Sequence, residues 1–207
     1  ESGLPKGDIW STDCTQSQGN PNGTSYCPAG CDTTLQVGDA WFHEKVPVRG
    51  MPDLINVYHS TVGNNGVLEM DFAIDRTGNV DPVHASRYSE FGNWIRTCYG
   101  SPIANTSASS ETTVVLSFSS ATTVDRFMIQ EAFEQGERVR SWTILVQPSG
   151  SSSYQPFASG NAVGYKKIVL GSSSEIVSAK LSILSSVSQP LIRTFAAFSP
   201  CSTPSEV

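Results

Sequence analysis

The sequence is short of charge, and of basic residues above all. Only 15% of its 207 residues are charged, with 13 Lys and Arg against 19 Asp and Glu, a net charge of −6. No basic patch is available to follow a phosphate backbone, so nucleic acid is not an expected partner. Long apolar runs are missing too; nothing approaches the ~20 residues that a membrane-spanning helix needs. The three histidines stand at ligand spacing from no cysteine; the nearest to Cys27 and Cys31 is His43, which has no partner beside it. No metal and no other cofactor is expected. No basic-then-apolar leader opens the chain, and Glu1 reads as a mature or processed end.

What is present suits a secreted, β-rich protein. An apolar content of 38% can build a core, and 207 residues make one large domain or two small ones. There are five cysteines, Cys14, Cys27, Cys31, Cys98 and Cys201, and two N-x-S/T sequons, at Asn22 and Asn105. Cysteines and sequons together favour a secreted, extracellular or lysosome/vacuole-like location with disulfides. An odd count leaves one thiol free or paired outside the chain. Cys27 and Cys31 can join each other only through a turn.

Residues 1–25 are rich in Gly, Asn, Ser and Thr, which is loop chemistry, with Trp10 as the main apolar anchor. Residues 51–62 read as a helix with Pro52 in its first turn and Leu54, Ile55, Tyr58 and Val62 on one face. His59 on that helix reads as a packed or capping histidine. A Gly63–Asn64–Asn65–Gly66 turn leads to a strand over 67–74, with Leu68, Met70, Phe72 and Ile74 on one side and Glu69 and Asp71 on the other. Asp81 caps a second helix, starting at Pro82 and running to about Cys98. Arg87 and Glu90 can pair on its surface.

Residues 99–110, with Gly, Pro, Ser and a sequon, read as a boundary between domains 1–100 and 101–207. Beyond it seven short strands are expected, over 112–119, 124–130, 138–147, 155–158, 164–170, 176–184 and 191–198. Their connections are Gly/Ser-rich, GSSSE at 171–175 among them. This pattern argues for an antiparallel β-sandwich. Trp142, Tyr154, Phe157 and Tyr165 are its candidate sugar-stacking aromatics; core packing is the competing role.

The first domain is organised around CPAGCDTTL (27–35), then GDAWF (38–42), YHSTVGNNGVLEMDF (58–72), DRTG (75–78) and EFGNWI (90–95). In that order these segments resemble the family 29 glycoside hydrolases, the retaining α-L-fucosidases. The second half resembles the same family in RFMIQEAFEQGERVRSWTI, GNAVGYKKIV and QPLIRTFAAF.

The resemblance implies an α+β architecture: the C-terminal fragment of a (β/α)8-type barrel, followed by a jelly-roll, galactose-binding-like sandwich. It implies a partner as well, an N-terminal barrel chain or precursor portion carrying the nucleophile, and fucosylated glycans as ligands. A parallel barrel takes roughly 250 residues, so residues 1–100 supply its last unit or two and expose a large apolar face if isolated. One departure bears on activity. The family's PAE triplet places the acid/base glutamate where this chain has Gly30, which has no proton to donate. Asp32, one pleat on, is the substitute acid within reach on the same strand face; its default role is structural or orienting. Trp41, Phe42 and His43 are candidates to bind substrate at the barrel mouth. A Cys98–Cys201 bridge would tie the end of the barrel helix to the sandwich terminus, with Cys14 or a missing chain as competitors for either thiol.

Overall fold

A computed structural model describes residues 19–20, 22–23, 28–38, 40–43 and 46–202. Two bodies follow one another along the chain. The first is β1 (Gly30–Thr34), α1 (Met51–Ser60), β2 (Val67–Asp71) and α2 (Pro82–Tyr99). β1 and β2 pair in parallel, from Gly30 opposite Val67 to Thr34 opposite Asp71. A parallel pair needs a crossover, and α1 supplies it. Leu54 and Tyr58 of α1 and Phe91, Trp94 and Cys98 of α2 are buried together on one side of this pair, with Leu68 and Met70 of β2 packed against them.

Local chemistry accounts for both helices. The Asp81 carboxylate accepts a hydrogen bond from the Val83 amide, 2.8 Å away, capping α2 just ahead of Pro82. Arg87 and Glu90 pair at 3.4 Å on its surface, a weak contributor to stability. His59 is a packed residue. Burial, then the Arg126 charge, lowers its pKa to about 4, and the neutral ring shares a hydrogen bond of 2.6 Å between Nε2 and the Tyr99 hydroxyl.

The second body holds β3 (Ala104–Ala108), β4 (Thr113–Glu131), β5 (Val139–Pro148), β6 (Gln155–Gly160), β7 (Lys167–Ser186) and β8 (Ile192–Phe198). They form one six-stranded antiparallel sheet in the order β3-β8-β4-β7-β5-β6. The sheet folds over on itself as a sandwich. The first part of β4 pairs with the last part of β7, and the last part of β4 with the first part of β7 and with β8. Phe127, Ile129 and Phe195 of one half thereby meet Leu116, Trp142, Ile144, Ile176 and Leu181 of the other in a single core.

Two expectations from the sequence are corrected. The strands anticipated at 112–119 and 124–130 are one strand, as are those at 164–170 and 176–184. The Ser-rich stretches between them bend the long strands without ending them; the register of β4 against β7 shifts between Ser117 and Thr122 and again between Val124 and Arg126. Within the GSSSE run, a Cβ at Gly171 would collide with the Phe157 ring, so this glycine marks a close approach across the sandwich. Residues 99–110 are not all linker, because β3 lies inside them and pairs with β8.

The two bodies are stitched together at α2. Cys98 and Cys201 form a disulfide, with Cα atoms 5.6 Å apart. The buried Arg126 guanidinium donates to the Cys98 carbonyl at 3.0 Å and lies over the Tyr99 ring, 5.1 Å from its centroid. At the turn after α1, Asn65 accepts from the Tyr165 amide at 2.7 Å, against Gly164, whose φ of +60° suits glycine. Cys31 is disulfide-bonded as well, to a cysteine outside the described residues; Cys14 and Cys27 both lie outside them.

Where β4 ends and β5 begins, two carboxyls are buried, Glu131 and Glu137. Glu131 accepts from the Arg138, Val139 and Gly164 amides at 2.9, 3.0 and 3.0 Å. Neither carboxyl oxygen of Glu137 has a well-formed hydrogen bond. Burial, then the neighbouring Glu131 carboxylate, raises the Glu137 pKa to about 8 against the pull of Arg140. A carboxyl with a raised folded-state pKa stabilises fully below the unfolded value, and that contribution is lost as pH climbs towards 8. The thermal midpoint is therefore expected to fall from pH 5 to pH 9, with an underlying cost of roughly a few kcal/mol, and Glu137→Gln is expected to flatten that fall. A thermal-melt series on the two proteins checks this.

Candidate functional site

The loops leaving β1 and β2 emerge at the C-terminal ends of two parallel strands, the side on which strand–helix folds place their chemistry. Buried Gln36 organises the first loop. Its amide donates to the carbonyls of Ala40 at 2.5 Å and Phe42 at 2.7 Å, holding both near the strand end. Arg49 closes the loop from the other side, donating to the Thr34 carbonyl at 2.8 Å and to Asp53 at 2.8 Å. The second loop is held by Asp75, which accepts from the Thr77 amide and hydroxyl and from the Asn79 amide at 2.8, 2.6 and 3.0 Å. Those hydrogen bonds, the Thr77 side chain foremost, lower the pKa of its exposed carboxyl.

A groove of about 620 Å³ runs between the two loops, lined by Phe42, His43, Ile74, Asp75, Arg76 and Thr77. His43 Nε2 lies 3.3 Å from the Asp81 carboxylate. The Val83 amide first, then His43, lowers the Asp81 pKa. The His84 ring sits behind, 5.8 Å from His43 between centroids, with a buried Nδ1 that has no hydrogen-bond partner. The groove thus offers an aromatic face, a half-buried imidazole, a guanidinium and one fixed carboxylate, Asp75. Such a set suits a hydroxylated ligand. Among the described residues no group of His, Cys, Asp or Glu is arranged to hold a metal ion.

Gly30 and Asp32 are exposed on one face of β1; Gly30 opens the strand, and the groove lies beyond the strand's other end. Register sets Gly30 beside Val67 and Asp32 beside Glu69. Adjacent strands stand about 4.8 Å apart, so the Asp32 and Glu69 side chains are neighbours across the pair. A Cβ at Gly30 would meet no atom within 4 Å.

Solved structures decide what this arrangement is similar to. A putative α-L-fucosidase from Bacteroides thetaiotaomicron superposes with a TM-score of 0.82 and 29% identity, over 88% of this chain and 43% of its own. A family 29 fucosidase from Ruminococcus gnavus, solved with fucose, gives 0.79 and 16% over 89% and 44%. A putative α-L-fucosidase from Bacteroides ovatus gives 0.75 and 20% over 88% and 32%. The chain resembles the C-terminal part of the family 29 α-L-fucosidases. It spans less than half the length of each of these proteins. The two matches at or below 20% identity speak for the fold alone. No family model and no curated protein matches the sequence.

On this fucosidase-like fold the sequence-predicted residues divide. Phe42 and His43 enter the groove, and Phe42 is 82% exposed. Trp41 is exposed too but does not line the groove. In the sandwich Trp142 is core, its indole donating to the Ala162 carbonyl at 3.3 Å, and Phe157 packs edge-on against Phe127. Tyr154 bonds Ser178 at 2.8 Å beneath the Lys180 ammonium, and Tyr165 stays half exposed against Phe133. Asn22 lies in a turn and Asn105 on β3, both exposed. Sequence reasoning missed Gln36, Arg76 and Asp81 as shapers of the site. No local pattern marked Gln36 as buried, since Leu35 beside it is buried and Val37 is 49% exposed.

Proposed function

We propose that the chain is the C-terminal portion of an α-L-fucosidase-like glycoside hydrolase that acts on or binds fucosylated glycans, with turnover impaired because Gly30 stands at the acid/base position. The observation carrying this reading is the superposition on fucosidases across nearly the whole chain, with β1-α1-β2-α2 at its start. Those elements serve as the last strand–helix units of a parallel barrel. Val67, Ile74 and Val83 are 64%, 56% and 62% exposed, apolar surface that a missing barrel neighbour would cover. The partner is the barrel portion that carries the nucleophile, and the groove of Phe42, His43 and Arg76 forms one wall of the sugar pocket. The disulfides and sequons fit a secreted, extracellular or vacuole-like setting.

A second reading keeps the pocket and drops the chemistry: a secreted, lectin-like or structural glycoprotein derived from a fucosidase. Gly30 favours it, since a retaining glycosidase needs two carboxyls about the scissile bond. Assaying the natural, full-length protein on p-nitrophenyl fucoside and on an unactivated fucosyl oligosaccharide separates the two. Slow turnover confined to the activated substrate supports impaired hydrolysis, and fucose binding without turnover supports the lectin. Fast, bell-shaped hydrolysis of the oligosaccharide refutes impairment. Residues 1–207 alone are expected to turn over neither.

The groove makes its own prediction. Phe42→Ala in the full protein is expected to weaken oligosaccharide binding about tenfold, the worth of one aromatic contact. The melting temperature is expected to hold, because Phe42 buries little area. Calorimetric titration together with a thermal melt reads both.

A further inference from the structure

The six-stranded sheet ends on β3 at one side and β6 at the other. A terminal strand presents unpaired amides and carbonyls to any passing strand, and proteins block such edges with proline, charge, bulges, short strands or cover. β6 has its block: Pro156, opposite Leu145, removes a donor from that edge. β3 reads Ala104-Asn105-Thr106-Ser107-Ala108, with neither proline nor charge. Its own irregularity is the register shift between Thr106 and Ala108. Ile103, just before it, is 38% exposed.

What β3 does carry is a sequon. Burial alternates along the strand, with Asn105 and Ser107 exposed and Ala104 and Ala108 packed against the core. Register fixes the side to which Asn105 belongs. Asn105 pairs with Ala196, Ala196 with Met128, and Met128 with Ile168, a single row across four strands. Residues directly opposite in an antiparallel sheet share a face. Met128 and Ile168 at the far end of the row pack against the α1–α2 core. Asn105 is the exposed outer end of the same row, on the helix-bearing side and at the rim of the sheet.

We propose that Asn105 carries an N-linked oligosaccharide whose first sugars cover the β3 edge and keep it from pairing with another strand. The carboxamide nitrogen of Asn105 bonds to C1 of an oligosaccharide carried on a lipid diphosphate. The C1–O bond to the diphosphate breaks, the diphosphate leaves with the electron pair, and an amide proton goes to solvent. The inference rests on the secretory setting proposed above and is independent of fucosidase activity.

The test uses the full-length protein secreted from a glycosylating eukaryotic host, as native protein and as Ser107→Thr, Ser107→Ala and Ser107→Lys. Thr keeps the sequon; Ala and Lys abolish it, and Lys adds an edge charge. Peptide mapping is expected to show the Asn105 peptide heavier by an oligosaccharide in native and Ser107→Thr protein only. Light scattering is expected to show those two as one species, Ser107→Ala shifted to larger assemblies, and Ser107→Lys returned to the native size. An unmodified Asn105 in the native protein overturns the proposal. So does a Ser107→Ala protein of native size. Assemblies in Ser107→Lys as large as in Ser107→Ala overturn the edge role, since they assign the sugar to folding.

Discussion

Gly30→Glu in the full-length protein is expected to raise hydrolysis of an unactivated fucosyl oligosaccharide by about 10²–10⁴-fold, the usual worth of a positioned general acid. The strand can take the side chain. Gly30 has no left-handed backbone requirement, and an added Cβ would have no atom within 4 Å. The new carboxyl would leave β1 on the uncovered face, beside Val67 and one pleat before Asp32. Leaving-group dependence makes the test specific. An oligosaccharide hydroxyl must be protonated as it departs, whereas p-nitrophenolate departs unaided. The gain should therefore be large on the oligosaccharide and small on p-nitrophenyl fucoside. Equal gains on both would point to a binding effect. No gain on either, in a protein with an unchanged melt, would mean that Gly30 is not where the acid is missing; Asp32 and Glu69, adjacent across the strand pair, would then be the carboxyls to replace next.

Removing the Cys98–Cys201 bridge is expected to have the largest effect on stability. The bridge closes 103 residues of chain, from the last turn of α2 to just past β8. Chain-entropy reasoning gives about 4–5 kcal/mol for a loop of that length. At roughly 2–4 °C per kcal/mol for a domain of this size, Cys98→Ala/Cys201→Ala should lower the melting temperature by about 8–20 °C. The double substitution avoids leaving a reactive thiol beside buried Trp94. The bridge is not the only tie between the bodies, since Arg126 still holds the Cys98 carbonyl, so the variant should fold and melt cooperatively. A fall of less than about 2 °C would show that the unfolded chain gains little freedom from the cut.

Much of the fold was legible before any coordinates. Asp81 followed by Pro82 is a helix start with a mechanism, and α2 begins there. The spacing of Leu54 and Tyr58 marked the buried side of α1, and both are buried. The alternation after residue 111 announced an antiparallel sheet. What misled was composition: Ser and Gly runs that usually break strands lie inside β4 and β7. A strand bending over a sandwich edge exposes both of its faces for a few residues, so its residues look like loop residues. β3 was hidden for a related reason. A five-residue edge strand of Ala, Asn, Thr and Ser has too little apolar alternation to announce itself.

The site divides along the same line. Phe42 and His43 stood out as residue types, but only the buried Gln36 amide, reaching two carbonyls of its own loop, turns them towards the second loop. The meeting of His43 with Asp81, 38 positions away, is likewise a product of folding. Glu137 is plainest of all: a glutamate among polar neighbours in sequence, yet buried beside a second carboxyl in space. The sequence by itself determined the two helices and the alternation of an antiparallel sheet, which end of α2 is capped, and the lack of a proton donor at position 30. Those are properties of a residue and its near neighbours. Only the tertiary structure decided which side of β1 stays uncovered, which loops form the groove, and which carboxyl loses its water, because burial and long-range pairing depend on residues far apart in the chain.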